Sequence, residues 1–169
     1  MSSSAKGRLV LAALEAFGRS GYEAVHVGAL AAAAETTTGP LYHHFGSKLG
    51  LYSFVRADVE QRVVDRMEGA LAAGLHFESD DVIAALLVAF DYAERAGFAR
   101  MLSESHPSPG TEDPIASVLG EGPLGLMLAA AWRAALAAVA DGADPESVRS
   151  AFRSLSVTTG RQLISNRVR

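Results

Sequence analysis

Thr36-Thr37-Thr38-Gly39-Pro40-Leu41-Tyr42-His43-His44-Phe45-Gly46-Ser47-Lys48 is the stretch on which the reading of this chain turns. It reads as a short helix with a hydroxyl-rich start and an aromatic, imidazole-bearing last turn. Thr37 stands where an N-cap belongs, its hydroxyl placed to accept from the orphan amides of the next turn. Gly46-Ser47-Lys48 ends that helix and caps another. Its lysine lies in the first turn, where the dipole and the free amides already favour an anion.

Upstream, Ser4 is placed to cap a first helix with a buried stripe of Val10, Leu14 and Phe17, stopped by Gly18 and Gly21. Residues 27–34 form a second, short helix of very small side chains, able to pack closely on a neighbour. Three short helices, the third entered by a tight turn and polar at its exposed start, are the helix-turn-helix arrangement. A protruding helix fits the DNA major groove, where small side chains allow close approach and Thr hydroxyls address base edges. Tyr42 and His43 suit phosphate contact by neutral hydrogen bonds, and Lys48 by charge.

Downstream, alanine, leucine, glutamate and arginine dominate and no alternating β-branched run occurs, so the chain reads as all-α, in eight or nine helices. A long helix runs from Lys48 to about Gly74 with Leu51, Phe54, Val55, Val59 and Val63 along it. The domain boundary falls inside that helix, giving a three-helix head, 1–52, and a helical body, 53–169. Asp80 caps a helix that is apolar on more than one side (Val82, Ile83, Leu86, Leu87, Val88, Phe90) and is expected to be surrounded. Gly97 starts a short helix, and His106-Pro107-Ser108-Pro109-Gly110 is a loop. A segment from Pro114 to Val139 breaks at Gly120–Gly125. Asp144-Pro145 starts the last helix, burying Val148, Phe152, Leu155 and Leu163, with Gly160 a point of close approach.

At 169 residues the chain can bury a real core. Its net charge is −4, unevenly placed: residues 1–50 hold four Lys/Arg against three acids, the remainder eleven against sixteen. That asymmetry has the direction of a DNA-reading head on an acidic body. With no cysteine there is no disulfide, thiolate metal site or cysteine nucleophile. No apolar run reaches the roughly 18–20 uncharged residues of a membrane span, because Arg133 interrupts residues 124–140. The N-terminus lacks an apolar secretion signal, so a cytoplasmic protein without a membrane partner is expected.

Adjacent helical residues point about 100° apart, so His43-His44 is not expected to hold a metal, and no cofactor is implied. Gly120-Glu121-Gly122-Pro123-Leu124-Gly125 satisfies a G-x-G-x-x-G string but has neither the preceding strand nor the βαβ unit of a dinucleotide site. Ser103 and His106 form no nucleophile pattern. The chain is therefore read as a non-enzyme. Phe90, Phe98, Met101 and Trp132 are the candidates for an effector pocket, Trp132 above all because its N–H needs a partner.

Residues 9–54 resemble the N-terminal domain of the TetR family of bacterial transcriptional repressors. The resemblance rests on Ala13-Leu14-Glu15-Ala16-Phe17, Gly21-Tyr22-Glu23-Ala24, Val27-Gly28-Ala29-Leu30-Ala31 and above all Gly39 to Leu51. It implies a homodimer paired through its last two long helices and bound to a palindromic double-stranded DNA operator. It also implies a small-molecule pocket in each body whose occupancy releases DNA. The DNA-binding candidates are Thr36, Thr37, Thr38, Gly39, Pro40, Tyr42, His43, His44 and Lys48. The chain departs from the family at Glu35, where glycine is usual, at Thr36, usually apolar, and at Val25-His26, where a hydroxyl is usual. The alternative is a helical ligand- or partner-sensing protein whose DNA-binding head is weak or non-specific.

Overall fold

The computed structural model describes residues 4–73, 79–104 and 112–155; Gly74, the 106–110 loop, Gly160 and Leu163 lie outside them. Among the described residues there are nine helices and no strand. Helix α1 (Ala5–Ala24) starts where Ser4 Oγ accepts the Gly7 N–H at 3.2 Å. It buries Leu9, Ala13 and Phe17, and the expected Val10 and Leu14 flank that stripe half-buried. Nor does the helix stop at Gly18. It runs on to a kink at Gly21 (φ 75°), while Gly18 lets α1 approach the Gly97 carbonyl so closely that a Cβ would stand 2.5 Å from its oxygen.

Helices α2 (Val27–Ala33) and α3 (Gly39–Phe45) complete the head, and α4 (Lys48–Ala73) is the spine of the molecule. Ser47 Oγ starts α4 by accepting the Gly50 N–H at 2.9 Å. Leu51, Val55, Val59, Val63 and Met67 recur along it with no exposed surface. This row packs on α1 and α3 at one end and on α5 (Ser79–Arg95) and α7 (Pro114–Leu119) at the other. Phe54, expected on the buried row, is 48% exposed and leans on Phe45 at 5.5 Å between ring centroids.

Helix α6 (Ala99–Ser103) lies between α1 and α8 (Gly122–Ala140), and α9 (Pro145–Arg153) closes on α5. Asp113 and Asp144 cap α7 and α9, accepting Ile115 N–H at 3.0 Å and Ser147 N–H at 2.9 Å, each with a proline in the first turn. Phe152 meets Phe90 edge-on at 5.8 Å, but Val148 is only half-buried and Leu155 is exposed beyond the end of α9. Helix α5 is likewise less surrounded than its composition suggests, because Val88 faces outward. At the Gly120–Gly125 string, Gly125 sits against the carbonyls of Ala116 and Gly120, which makes it a close α7–α8 joint. By length and composition α8 alone among the described helices could cross a membrane, with mean hydropathy 1.6 and 28% of that window buried.

A polar chain runs through this apolar interior. Arg56 is 1% exposed and donates to Glu60 Oε1 at 2.9 Å, to Tyr52 Oη at 3.0 Å and to the Glu104 carbonyl at 2.8 Å. Arg133 lies 3.7 Å from Glu60 Oε1 and grips Asp113 through two bonds of 2.8 and 3.1 Å. Burial opposes the charge on Arg56, but Glu60 and Tyr52 outweigh it and hold the guanidinium above its usual range. Burial, followed by the hydrogen bond to Glu104, pushes the Tyr52 phenol above the usual tyrosine range, so it stays protonated and donates.

Three helices end in the same way. After α2, Thr36 N–H bonds Ala31 O at 2.9 Å and Glu35 N–H bonds Ala32 O at 3.0 Å. The same six-to-one and five-to-two pair closes α5 around Gly97 and α8 around Gly142. The residue at that position takes a positive φ each time: 75° at Gly97, 101° at Gly142 and 49° at Glu35, the one non-glycine among the described residues to do so. A Cβ in that region costs roughly 1–2 kcal/mol, part of which a glycine loses again in the freer unfolded chain. Glu35→Gly is expected to stabilise the protein by about 0.5–1 kcal/mol and Gly142→Ala to destabilise it by a similar amount, both read from urea midpoints.

Candidate nucleic-acid interface

The turn after Glu35 carries Thr36 and Thr37 into α3, whose N-cap is Thr38, one residue later than expected. Thr38 has backbone angles near helical (φ −71°, ψ −21°) and makes no side-chain cap bond, so the N-terminal hydroxyls are not used in capping. Gly39 and Pro40 fill the first turn. Leu41 points into the core with no exposed surface, and Phe45 is half-buried beside it. The opposite face is open. Thr37, Thr38, Gly39, His43 and His44 are exposed and Tyr42 is 52% exposed, while Thr36 and Pro40 are half-buried. Thr38, Gly39, Tyr42 and His43 follow the i, i+1, i+4, i+5 spacing of one helix face. Side chains of two hydroxyl types and an imidazole thus share one exposed face.

The position of α3 is fixed from behind. Arg8 Nε donates to Ala34 O at 2.8 Å and a second nitrogen reaches Glu35 O at 3.5 Å, so a cation of α1 holds the carbonyl end of α2. Sequence reasoning missed Arg8, because its partners lie 26 and 27 residues away and are backbone atoms. His26, the N-cap of α2, makes no side-chain bond, as its residue type leads one to expect. The exposed face of α2 is Gly28, Ala29, Ala32 and Ala33.

Lys48, read from sequence as a phosphate contact, is half-buried. Its Nζ donates to Tyr22 O at 2.8 Å and Val25 O at 2.9 Å, and lies 4.0 Å from the centroid of the Tyr22 ring. These are carbonyls of the short turn beyond the Gly21 kink and of the extended C-cap of α1. Lys48 therefore fastens the last turn of α1 to the first turn of α4. The signal for this was absent from the local sequence, since the partners are 23 and 26 residues upstream.

Three of the four effector-pocket candidates lie in the core and the fourth packs against it. Phe90, Met101 and Trp132 have no exposed surface and belong to the main hydrophobic cluster. Phe98 is half-buried and lines an open cleft of about 370 Å³ with Leu11, Leu14 and Arg19. The Trp132 indole N–H is buried and has no hydrogen-bond partner among the described residues. No group of His, Asp or Glu among the described residues could hold a metal.

The three-helix head carries a helix-turn-helix with an exposed, hydroxyl-bearing third helix and is mounted on a helical body through one shared helix. Residues 9–53 match the family described as bacterial regulatory proteins, tetR family. Among solved structures, the fold is similar to that of a protein described as a tetR family transcription regulator from Shewanella sp. PV-4. The two are 21% identical over 90% of this chain and 95% of that one, with a TM-score of 0.65. It is also similar to the TetR family transcriptional regulator PfmR from Thermus thermophilus, 20% identical over 95% and 100% of the chains, TM-score 0.64. A TetR-family regulator from Streptomyces coelicolor matches at 16% identity over 88% and 89%, TM-score 0.50. No curated protein sequence matches the chain. The N-terminal domain is thus a TetR-family helix-turn-helix domain, and the whole chain has the all-α fold of TetR-family transcriptional regulators.

Lys48→Met keeps the aliphatic stem and removes both bonds to the end of α1. It is expected to lower stability by about 2 kcal/mol, as for charge-assisted hydrogen bonds in partial burial. An unchanged urea midpoint would mean that the ammonium does not hold the α1 carbonyls in solution.

Proposed function

We propose that the protein is a homodimeric, ligand-responsive transcriptional repressor that binds a palindromic DNA operator. The head, 1–52, reads DNA and the body, 53–169, pairs and senses. The observation that carries this reading is the open face of α3: Thr37, Thr38, Gly39, Tyr42 and His43 are solvent-facing, while Leu41 on the opposite side is sealed in the core. A turn-and-helix whose polar groups serve no capping role is free to use them on base edges and phosphates. Tyr42 and His43 supply phosphate contacts, the Thr hydroxyls face the groove, and Lys48 acts by holding the α1 end that places them.

Pairing is supported by α8. Leu126 (58% exposed), Met127 (69% exposed), Ala130, Ala131 and Ala134 form one exposed apolar stripe on it, with small residues that let a second helix approach. Two heads on such a dimer must present their α3 helices about one DNA turn apart, roughly 34–36 Å. A ligand in the body is supported by the orphan Trp132 N–H, a buried donor that a bound acceptor would satisfy. The rival reading, a sensing protein with a weak head, is favoured by the exposed face of α2, where Gly28, Ala29, Ala32 and Ala33 offer no side-chain donor.

A mobility-shift experiment with the DNA upstream of the chain's own gene separates the two. The repressor reading expects a sequence-selective shift at moderate salt by a species that elutes as a dimer. Tyr42→Phe is expected to weaken that binding about tenfold at unchanged thermal midpoint, the loss of one hydrogen bond to a charged phosphate. A wild-type dimer that shifts no sequence selectively would favour the rival.

A further inference from the structure

Glu104, the C-cap of α6, joins body to head at the Tyr22 peptide group and the Tyr52 hydroxyl. Its carboxylate accepts the Tyr22 N–H through Oε1 at 2.9 Å and through Oε2 at 3.2 Å. The Tyr52 hydroxyl donates to the same carboxylate at 2.5 Å, and Arg56 donates to the Glu104 carbonyl at 2.8 Å. The approach needs Gly21: with φ 75° it turns the Tyr22 amide outward, and a Cβ there would run into Glu104 Oε1. The carbonyl of the same Tyr22 accepts from Lys48. Tyr22 is therefore held at its N–H by the body and at its C=O by α4, three residues before Val25 leads into α2.

Behind Glu104 the polar chain is continuous. Tyr52 and Arg56 bond each other, Arg56 bonds Glu60, and Arg133 links Glu60 to Asp113. Asp113 is also the cap of α7 and a wall of an open cleft of about 490 Å³ beside Glu112, Ser117 and Glu121. Each link is a hydrogen bond or ion pair in or near the core, where losing a partner strands the other. Glu104 follows directly on α6, so a displacement of α6 against α4 must either drag the α1 end with it or break the bonds to Tyr22.

We propose that Glu104 is a latch, a positioning residue that transmits the packing state of α7 and α8 to the reading helix by holding the Tyr22 amide. Its consequence for DNA rests on the function proposed above; the latch itself does not. The test is amide hydrogen exchange, resolved by peptide, on the full chain. Glu104→Ala is expected to speed exchange at least tenfold in residues 22–45 while α5 and α8 stay within twofold of wild type. Arg133→Met, at the far end of the chain of bonds, is expected to speed the same head residues in the wild-type background and to add nothing in Glu104→Ala, the signature of a shared route. Phe152→Leu, an apolar core change away from the polar chain, is expected to leave head exchange unchanged. Should Glu104→Ala not fold, Tyr52→Phe, which removes one support of the carboxylate, carries the test with an expected threefold acceleration confined to 22–45. Acceleration spread equally over α5 and α8, no acceleration in the head, or additive effects of Arg133→Met and Glu104→Ala would overturn the latch. If the wild type shifts no DNA, the exchange result still decides the latch and the proposed function alone fails.

Discussion

The guanidinium of Arg56 sits in the middle of the protein with almost no contact with water, and the arrangement of the helices around it follows from satisfying it. An ion of that kind loses several kcal/mol of hydration on burial and keeps its charge only among well-placed acceptors. Here the acceptors come from one turn before, one turn after and the end of a different helix: Tyr52, Glu60 and the Glu104 carbonyl. The first two are set by i, i±4 spacing on α4. The third forces the end of α6 to lie across that helix. Glu60 in turn draws Arg133, and through it α8, to the same place. An apolar filling of equal volume could have held these helices together, but it would not have fixed which end of α6 meets which turn of α4.

The head depends on a second set of interactions with the same logic. Helix ends carry unsatisfied carbonyls, and in this small domain two of them are answered by cations from elsewhere: Arg8 at the end of α2 and Lys48 at the end of α1. Two of the head's four basic side chains thus brace its own backbone, while Lys6 and Arg19 stay exposed, Lys6 over the Phe45 and Phe54 rings and Arg19 paired with Glu15.

Much of this was legible in the chain. Ser4, Ser47 and Asp144 cap the helices that their residue types announce, because a cap is satisfied by amides within three residues. The positive φ of Glu35 was implied by the family resemblance, which has glycine there. The misplacements have a common origin. Two of the three stripe positions of α1 moved by one residue, Phe54 turned outward and Leu155 fell beyond a helix end, since periodicity gives the width of an apolar face but not the direction from which neighbours cover it. Thr38 displaced Thr37 as the N-cap, without a side-chain cap bond that a residue type could announce.

By itself the sequence determined the class of fold, the order of the helices, most of the punctuation between them and the exposed face of α3, all of which depend on residues within a turn or two of one another. The tertiary structure alone decided what Lys48, Arg8 and Glu104 do. Their partners are backbone atoms 23 to 82 residues distant, and a carbonyl or amide looks the same in every residue of a sequence. Only the packing of α1, α4 and α6 at Gly18 and Gly21 brings those anonymous groups within reach of a charge.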